Sequence, residues 1–414
     1  MLKYLILVMA LLLAGQASAD VTRGEYLSRA GDCISCHTQA GHSAYSGGRQ
    51  LKTPFGPIYS TNITPDPQYG IGAYSLKDFD RAVRQGVAKD GHHLYPAMPY
   101  PSFRRISDRD TADLYDYFMH VVQPVHETGT KTKLPFPFNM RWAMIVWNWL
   151  FKPHSDFKPQ ASRDETWNRG SYLVETLGHC GACHTPRGLA FQENGLTSSS
   201  RTFLAGGTLE YWHAPSLRGN QRRGLAGWSE ADIAQYLKTG HARNFTAFGT
   251  MAEAVEVSTQ YLTDSDRTAI AHYLKSLPAA GLPIVPAPND TAIQAEWPGA
   301  GVYASGCAGC HGKTGQGRPS VPALAGNPAI QASDPASIVH ILLKGSKSPI
   351  TQSGPHVETM PGFERRLSDR EIAEVATFVR QSWRNRATAV DEKTVRGQRH
   401  ALKADAPIEL PNKG

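Results

Sequence analysis

The chain has 414 residues, 41% apolar and 19% charged, with a net charge of +7. That length suits two to four ordinary domains, and the composition excludes a disordered polar chain. The positive residues are scattered with no long Lys/Arg run, which argues against nucleic acid as a partner.

In chain order, the first predicted element is a leader. Lys3 precedes an apolar run over residues 5–14, and Ala17-Ser18-Ala19 offers small residues at a cleavage point. Residues 1–19 therefore read as a signal peptide and Asp20 as the start of an exported mature chain. The alternative is an uncleaved anchor, for which the run is short. No later stretch has the length of a transmembrane helix, so the mature protein is expected to be soluble or peripheral to a membrane.

Three pentapeptides then punctuate the chain: Cys33-Ile34-Ser35-Cys36-His37, Cys180-Gly181-Ala182-Cys183-His184 and Cys307-Ala308-Gly309-Cys310-His311. They use all six cysteines. Export would favour disulfides, but a redox dithiol does not call for a histidine after each pair. Zinc wants four N/S ligands from paired half-sites, and these half-sites lie far apart. The reading that uses every residue is covalent c-type haem: two thioethers to the porphyrin and the adjacent histidine on the iron. Cys33, Cys36, Cys180, Cys183, Cys307 and Cys310 are thus the expected attachment points, and His37, His184 and His311 the first axial ligands. Three haems would bring roughly six propionate charges, offsetting most of the net positive charge.

Each iron needs a sixth ligand, for which cytochromes c commonly use methionine. Met98 sits in Pro96-Ala97-Met98-Pro99 and Met360 in Met360-Pro361-Gly362, where proline denies a helix and favours an extended loop. Met251 is the one methionine between the second and third motifs and has no flanking proline, so His241 stands as its rival. His42, His92, His93 and His356 are weaker rivals, read as surface or haem-edge residues. Met119 reads as core packing; Met140 and Met144 fall in a linker. After each chosen methionine comes a helix start: Ser107-Asp108-Arg109-Asp110, Thr263-Asp264-Ser265-Asp266 and Ser368-Asp369-Arg370-Glu371, the last the best capping box. Apolar residues follow at helical spacing: Leu114, Tyr117, Phe118, Val121; Ile270, Tyr273, Leu274, Leu277; Ile372, Val375, Val379.

The predicted fold is all-α: three tandem class I cytochrome c-like domains over 20–122, 166–278 and 297–386, each a small helical bundle around one haem. Arg23-Gly24-Glu25-Tyr26 before the first motif is mirrored by Arg169-Gly170-Ser171-Tyr172 before the second; the third departs, with Gly301-Val302-Tyr303. Pro-rich linkers fill 123–165 and 279–296, and the polar tail over 387–414 is expected to be poorly ordered. Within the first linker, residues 140–151 set three tryptophans among aliphatics. Two readings stand side by side, packing between the first two domains or a docking surface for membrane or partner. With both axial positions filled, no iron is open to substrate, so the chemistry is electron transfer, and no dinucleotide, hydrolase or metalloprotease motif suggests otherwise.

The chain also resembles the three-haem cytochrome c subunits of bacterial membrane-bound dehydrogenases, the gluconate 2-dehydrogenase and alcohol dehydrogenase family. The resemblance spans about residues 22–385. It is carried by Gly31-Asp32-Cys33, Thr53-Pro54-Phe55-Gly56, Ser60-Thr61-Asn62-Ile63-Thr64-Pro65-Asp66, Leu94-Tyr95-Pro96-Ala97-Met98-Pro99-Tyr100-Pro101, His179-Cys180-Gly181-Ala182-Cys183-His184-Thr185-Pro186-Arg187-Gly188 and Leu324-Ala325-Gly326-Asn327-Pro328. It implies a large flavin- or pyrroloquinoline-quinone-dependent subunit as electron donor, in some cases a small third subunit, and ubiquinone as acceptor at the periplasmic face of the cytoplasmic membrane. It carries over Met98, Met251 and Met360 as ligands. A gluconate-type partner is favoured and an alcohol, sugar, polyol or aldehyde dehydrogenase is the alternative. From other classes, a multihaem peroxidase-like enzyme with one open iron and a free electron shuttle also stand.

Overall fold

A computed structural model describes residues 23–221, 223–243, 245–281, 297–318, 320–355 and 358–404. The leader, most of the second Pro-rich linker, His356 and residues 405–414 lie outside the described residues.

The three motif-bearing segments repeat one plan. Helix Arg23–Ala30 leads into the short helix Cys33–His37, and helix Asp108–His120 closes the first segment. Helix Glu165–Tyr172, running on through a wider turn to Leu177, leads to Gly181–His184, and Asp264–Ser276 closes the second. Ala300–Gly306 leads to Ala308–His311, and Asp369–Gln381 closes the third. The described strands form four two-stranded antiparallel pairs, among them Gln50–Thr53 with Gly56–Tyr59 and Gly345–Lys347 with Thr359–Pro361.

The closing helices begin where the sequence predicts. The Ser107, Thr263 and Ser368 side chains accept from the backbone N–H of Asp110, Asp266 and Glu371 at 3.1, 3.1 and 3.2 Å. Such caps are worth about 1 kcal/mol each. Of these three, only Ser368–Glu371 closes the full reciprocal box. Asp110 and Asp266 have other work: Arg23 binds Asp110, and Arg169 grips Asp266 with two bonds at 2.8 and 2.6 Å.

These two carboxylates explain the mirrored Arg-Gly-x-Tyr. The Tyr26 hydroxyl donates to Asp266 at 2.5 Å and the Tyr172 hydroxyl donates to Asp110 at 2.6 Å, so each segment's tyrosine reaches the other's closing helix. The glycine permits the crossing: a Cβ on Gly24 would stand 2.1 Å from the Asp113 carbonyl oxygen, and on Gly170 1.9 Å from that of Ala269. The first two segments therefore share one apolar core, from Leu27, Leu114 and Phe118 to Leu173, Ile270 and Leu274. The third keeps its own, around Tyr303, Ile372, Val375 and Val379. There the tyrosine is spent locally, donating to the Gly312 carbonyl at 2.6 Å. Of the predicted apolar positions Val121 is exposed, because its helix ends at His120.

One expectation changes. The tail is ordered over Glu392–Ala404, a helix whose Val395 and Leu402 are buried in the third core together with Val390. Polar residues dominate its sequence, but one apolar stripe suffices to dock it. The first linker is held against the first segment. The Asn62 amide donates to the Val125 carbonyl at 2.7 Å, the Tyr59 amide to the Thr132 hydroxyl at 2.9 Å, and residues Ala143–Phe151 form a helix.

Candidate haem-binding sites

The motif histidines are set identically. His37 Nδ1 lies 2.7 Å from the Thr61 carbonyl, His184 Nδ1 2.7 Å from that of Pro215 and His311 Nδ1 3.0 Å from that of Pro322. A carbonyl can only accept, so the proton sits on Nδ1 and Nε2 keeps its lone pair. Burial lowers the pKa of all three, His184 to about 4, so each ring is neutral at pH 7. A neutral imidazole with a fixed tautomer is what an iron ligand needs, and the carbonyls are its outer supports. The sequence reading missed these supports. The repeat Ala214-Pro215-Ser216-Leu217 and Val321-Pro322-Ala323-Leu324 is the signal that marks two of them.

The six thiols are unbridged. Cys33 and Cys180 pack on the shared core and Cys307 on the third, while Cys183 and Cys310 are exposed. Burial pushes Cys33, Cys36 and Cys180 up to about 12 and Cys307 up to about 11. Such surroundings suit an uncharged thioether and oppose the thiolate that zinc or dithiol chemistry uses. The donor set fits covalent haem.

The three methionines sit differently. Met98 is half-buried against the shared core, its amide donating to the Tyr95 carbonyl at 3.1 Å in a turn. Met360 lies in a strand opposite Ser346 and touches the third core. Met251 is the third residue of helix Gly249–Val257, packed on the cluster of Ala247, Ala252 and Val255, and so is not in an extended loop. His241 is buried, its Nδ1 2.9 Å from the Thr239 carbonyl and its Nε2 without a partner. This is the tautomer of the three motif histidines, so the rivalry at the second site has a structural form. Among the other histidines, His42 and His92 are exposed beside Glu127 and Asp90, and His93 is half-buried. Met119 packs on the core, as expected.

The first two sites are neighbours. Arg49 donates to the Ser35 carbonyl inside the first motif at 2.6 Å and to Glu253, on the helix that carries Met251, at 2.8 Å. Cys183 is close enough to Cys36 to help raise its pKa. Two partly buried acids that the sequence did not reveal stand there. Burial pushes Asp32 up to about 7, against the pull of the Ser35 hydroxyl. Burial likewise pushes Glu193 up to about 7, with Arg187 pulling down, and its Oε2 has no partner. That oxygen lies 2.5 Å from where a Cβ on Gly181 would stand, directly on the second motif.

A family model for cytochrome c matches residues 21–121, 168–278 and 298–383. A gluconate 2-dehydrogenase cytochrome c subunit from Pantoea cypripedii is 46% identical over 390 residues, covering 90% of this chain and 87% of the relative. The cytochrome c subunit of a quinone alcohol dehydrogenase from Gluconacetobacter polyoxogenes is 44% identical over 399 residues, covering 92% and 84%. That of Gluconobacter oxydans (strain 621H) is 43% identical over 380 residues, covering 89% and 80%. The chain thus belongs to the cytochrome c family, among the cytochrome c subunits of gluconate 2-dehydrogenase and quinone alcohol dehydrogenase.

Proposed function

We propose that this protein is the electron-transfer subunit of a membrane-bound dehydrogenase complex at the periplasmic face of the cytoplasmic membrane. It carries three covalent haems c in three tandem cytochrome c-like domains. Electrons enter from a large flavin- or pyrroloquinoline-quinone-dependent subunit, sometimes accompanied by a small third subunit, cross the haems and leave to ubiquinone. The carrying observation is the threefold Cys-x-x-Cys-His with every His Nδ1 bound to a carbonyl and every Nε2 left free for iron. His37 with Met98, His184 with Met251 and His311 with Met360 fill both axial positions, which leaves no iron for substrate and assigns substrate oxidation to the partner. A gluconate-type partner is favoured by the Pantoea relative, with an alcohol dehydrogenase next.

The test is gentle extraction of the full chain from its native membrane, identification of co-purifying subunits, and quinone reduction with gluconate, ethanol, sorbitol, fructose and an aldehyde. A large flavin or quinone-cofactor subunit with one responsive substrate supports the proposal. A haem-loaded chain that arrives alone and reduces no quinone with any of them contradicts it.

A further inference from the structure

Helix Ala143–Phe151 is built inside out. Its buried position is polar: Asn148 accepts from the Tyr100 hydroxyl at 2.7 Å. Its outer positions are apolar. Trp142, Ile145, Val146, Trp149 and Leu150 are all exposed, Trp142 and Trp149 by 63% and 71%. They fall at i, i+3, i+4, i+7 and i+8, a single stripe of helix surface. Trp147 does not belong to it: it is half-buried, and its indole N–H donates to the Ala190 carbonyl at 3.0 Å. The packing reading therefore holds for Trp147 and Asn148 and fails for the other two tryptophans.

We infer that this stripe lies in the surface of an anionic lipid bilayer, which deepens and rests on the membrane placement proposed above. Three observations favour lipid. No residue from Trp142 to Phe151 is charged, whereas the flanks over 131–158 carry Lys131, Lys133, Arg141, Lys152 and Lys158 against one acid, Asp156. That acid is already paired with Arg104 at 2.6 Å. Cationic flanks around an uncharged stripe match a negative headgroup layer. Second, a tryptophan stands at each end of the stripe, where an amphipathic ring suits the boundary of headgroup and acyl chain. Third, the helix is short, roughly 13 Å at 1.5 Å per residue, so it can lie in the plane and cannot cross. Phe136, Phe138 and Leu189 are exposed as well, and Phe138 packs through Phe55 towards Phe191 at ring separations of 4.5 and 6.0 Å.

The placement has a use. Tyr100 sits two residues past Met98, and Arg141 reaches the His93 carbonyl at 2.7 Å and lies over the Tyr95 ring. Ala190 lies in the loop that follows the second motif. The helix thus backs onto chain from both of the first two haem sites, and a quinone dissolved in the bilayer would meet the protein there.

The haem-loaded full chain should be floated with vesicles of phosphatidylcholine alone and with phosphatidylglycerol added. The wild type is expected to bind the phosphatidylglycerol vesicles more tightly. Trp142→Ser/Trp149→Ser and, separately, Val146→Glu should weaken that binding by about tenfold or more, with an unchanged haem spectrum attesting to the fold. Variants that bind as the wild type does would overturn the helix assignment and leave the membrane reading standing. A wild type that binds neither vesicle would overturn both. Variants that keep vesicle binding and lose the co-purifying dehydrogenase would overturn the lipid assignment in favour of a protein-docking surface.

Discussion

At the residue scale the sharpest question is the second iron. Met251 sits in a helix and packs on the small cluster of Ala247, Ala252 and Val255, and His241 presents a buried, unpartnered Nε2. With Met251 as ligand, Met251→Ala should turn one haem high-spin or carbon-monoxide-binding in optical spectra, and His241→Ala should leave all haems low-spin. The reverse pattern would assign the iron to His241 and imply a lower potential, since imidazole stabilises the ferric state relative to thioether. Glu193 makes a second prediction. Its carboxyl, held at about 7 by burial, loses its proton near neutrality beside the second motif. A new negative charge favours the oxidised, more positive haem, so that haem's potential should fall as pH rises through about 7. Glu193→Gln should flatten the slope in a spectroelectrochemical titration. An unchanged slope would show that another group titrates.

At the element scale, the Arg-Gly-x-Tyr helices and the closing helices lock the first two segments together. Asp266 is the centre of that lock, receiving Arg169 from its own segment and Tyr26 from the first. Burial alone would raise its pKa, but the Arg169 and Tyr26 bonds outweigh it and hold the carboxyl below its ordinary 3.8. A depressed acid contributes stability above its unfolded pKa and loses it as pH falls through the folded one. Asp266→Asn should therefore lower Tm at pH 7, and the gap to the wild type should close on acidification below about pH 4. A gap independent of pH would mean that lost shape, and not lost charge, causes the change. The caps and apolar spacing of these helices were legible in Ser107, Thr263 and Ser368, because capping is local. The exchange of Tyr26 and Tyr172 was not, because the partner of each stands across a segment boundary, and a repeated motif does not say which copy it contacts.

At the scale of the whole molecule, the haem motifs and the tandem repeat could be read directly, since covalent attachment demands fixed residues in fixed order. What stayed hidden depends on chain brought in from a distance. The carbonyls of Thr61, Pro215 and Pro322 that orient the histidines carry no side-chain signature, and the tail helix Glu392–Ala404 looked like polar chain because only one stripe of it is apolar. Removing residues from 388 onward should destabilise the third segment, exposing the core around Val379 that Val390, Val395 and Leu402 cover. Each lost apolar side chain costs about 1–4 kcal/mol. Calorimetry of the haem-loaded chain should then show a lowered transition for part of the molecule, whereas an unchanged trace would mean that the tail helix is dispensable.

The proposed electron-transfer role requires three haems in this one chain, each closed by two protein ligands. Its most direct test is the haem-to-protein ratio of the purified full chain, measured from the absorbance of the reduced protein with and without carbon monoxide. Three haems c per chain are expected, with a reduced spectrum that carbon monoxide leaves unchanged. Fewer than three haems, or a haem whose bands shift on adding the gas, would contradict it.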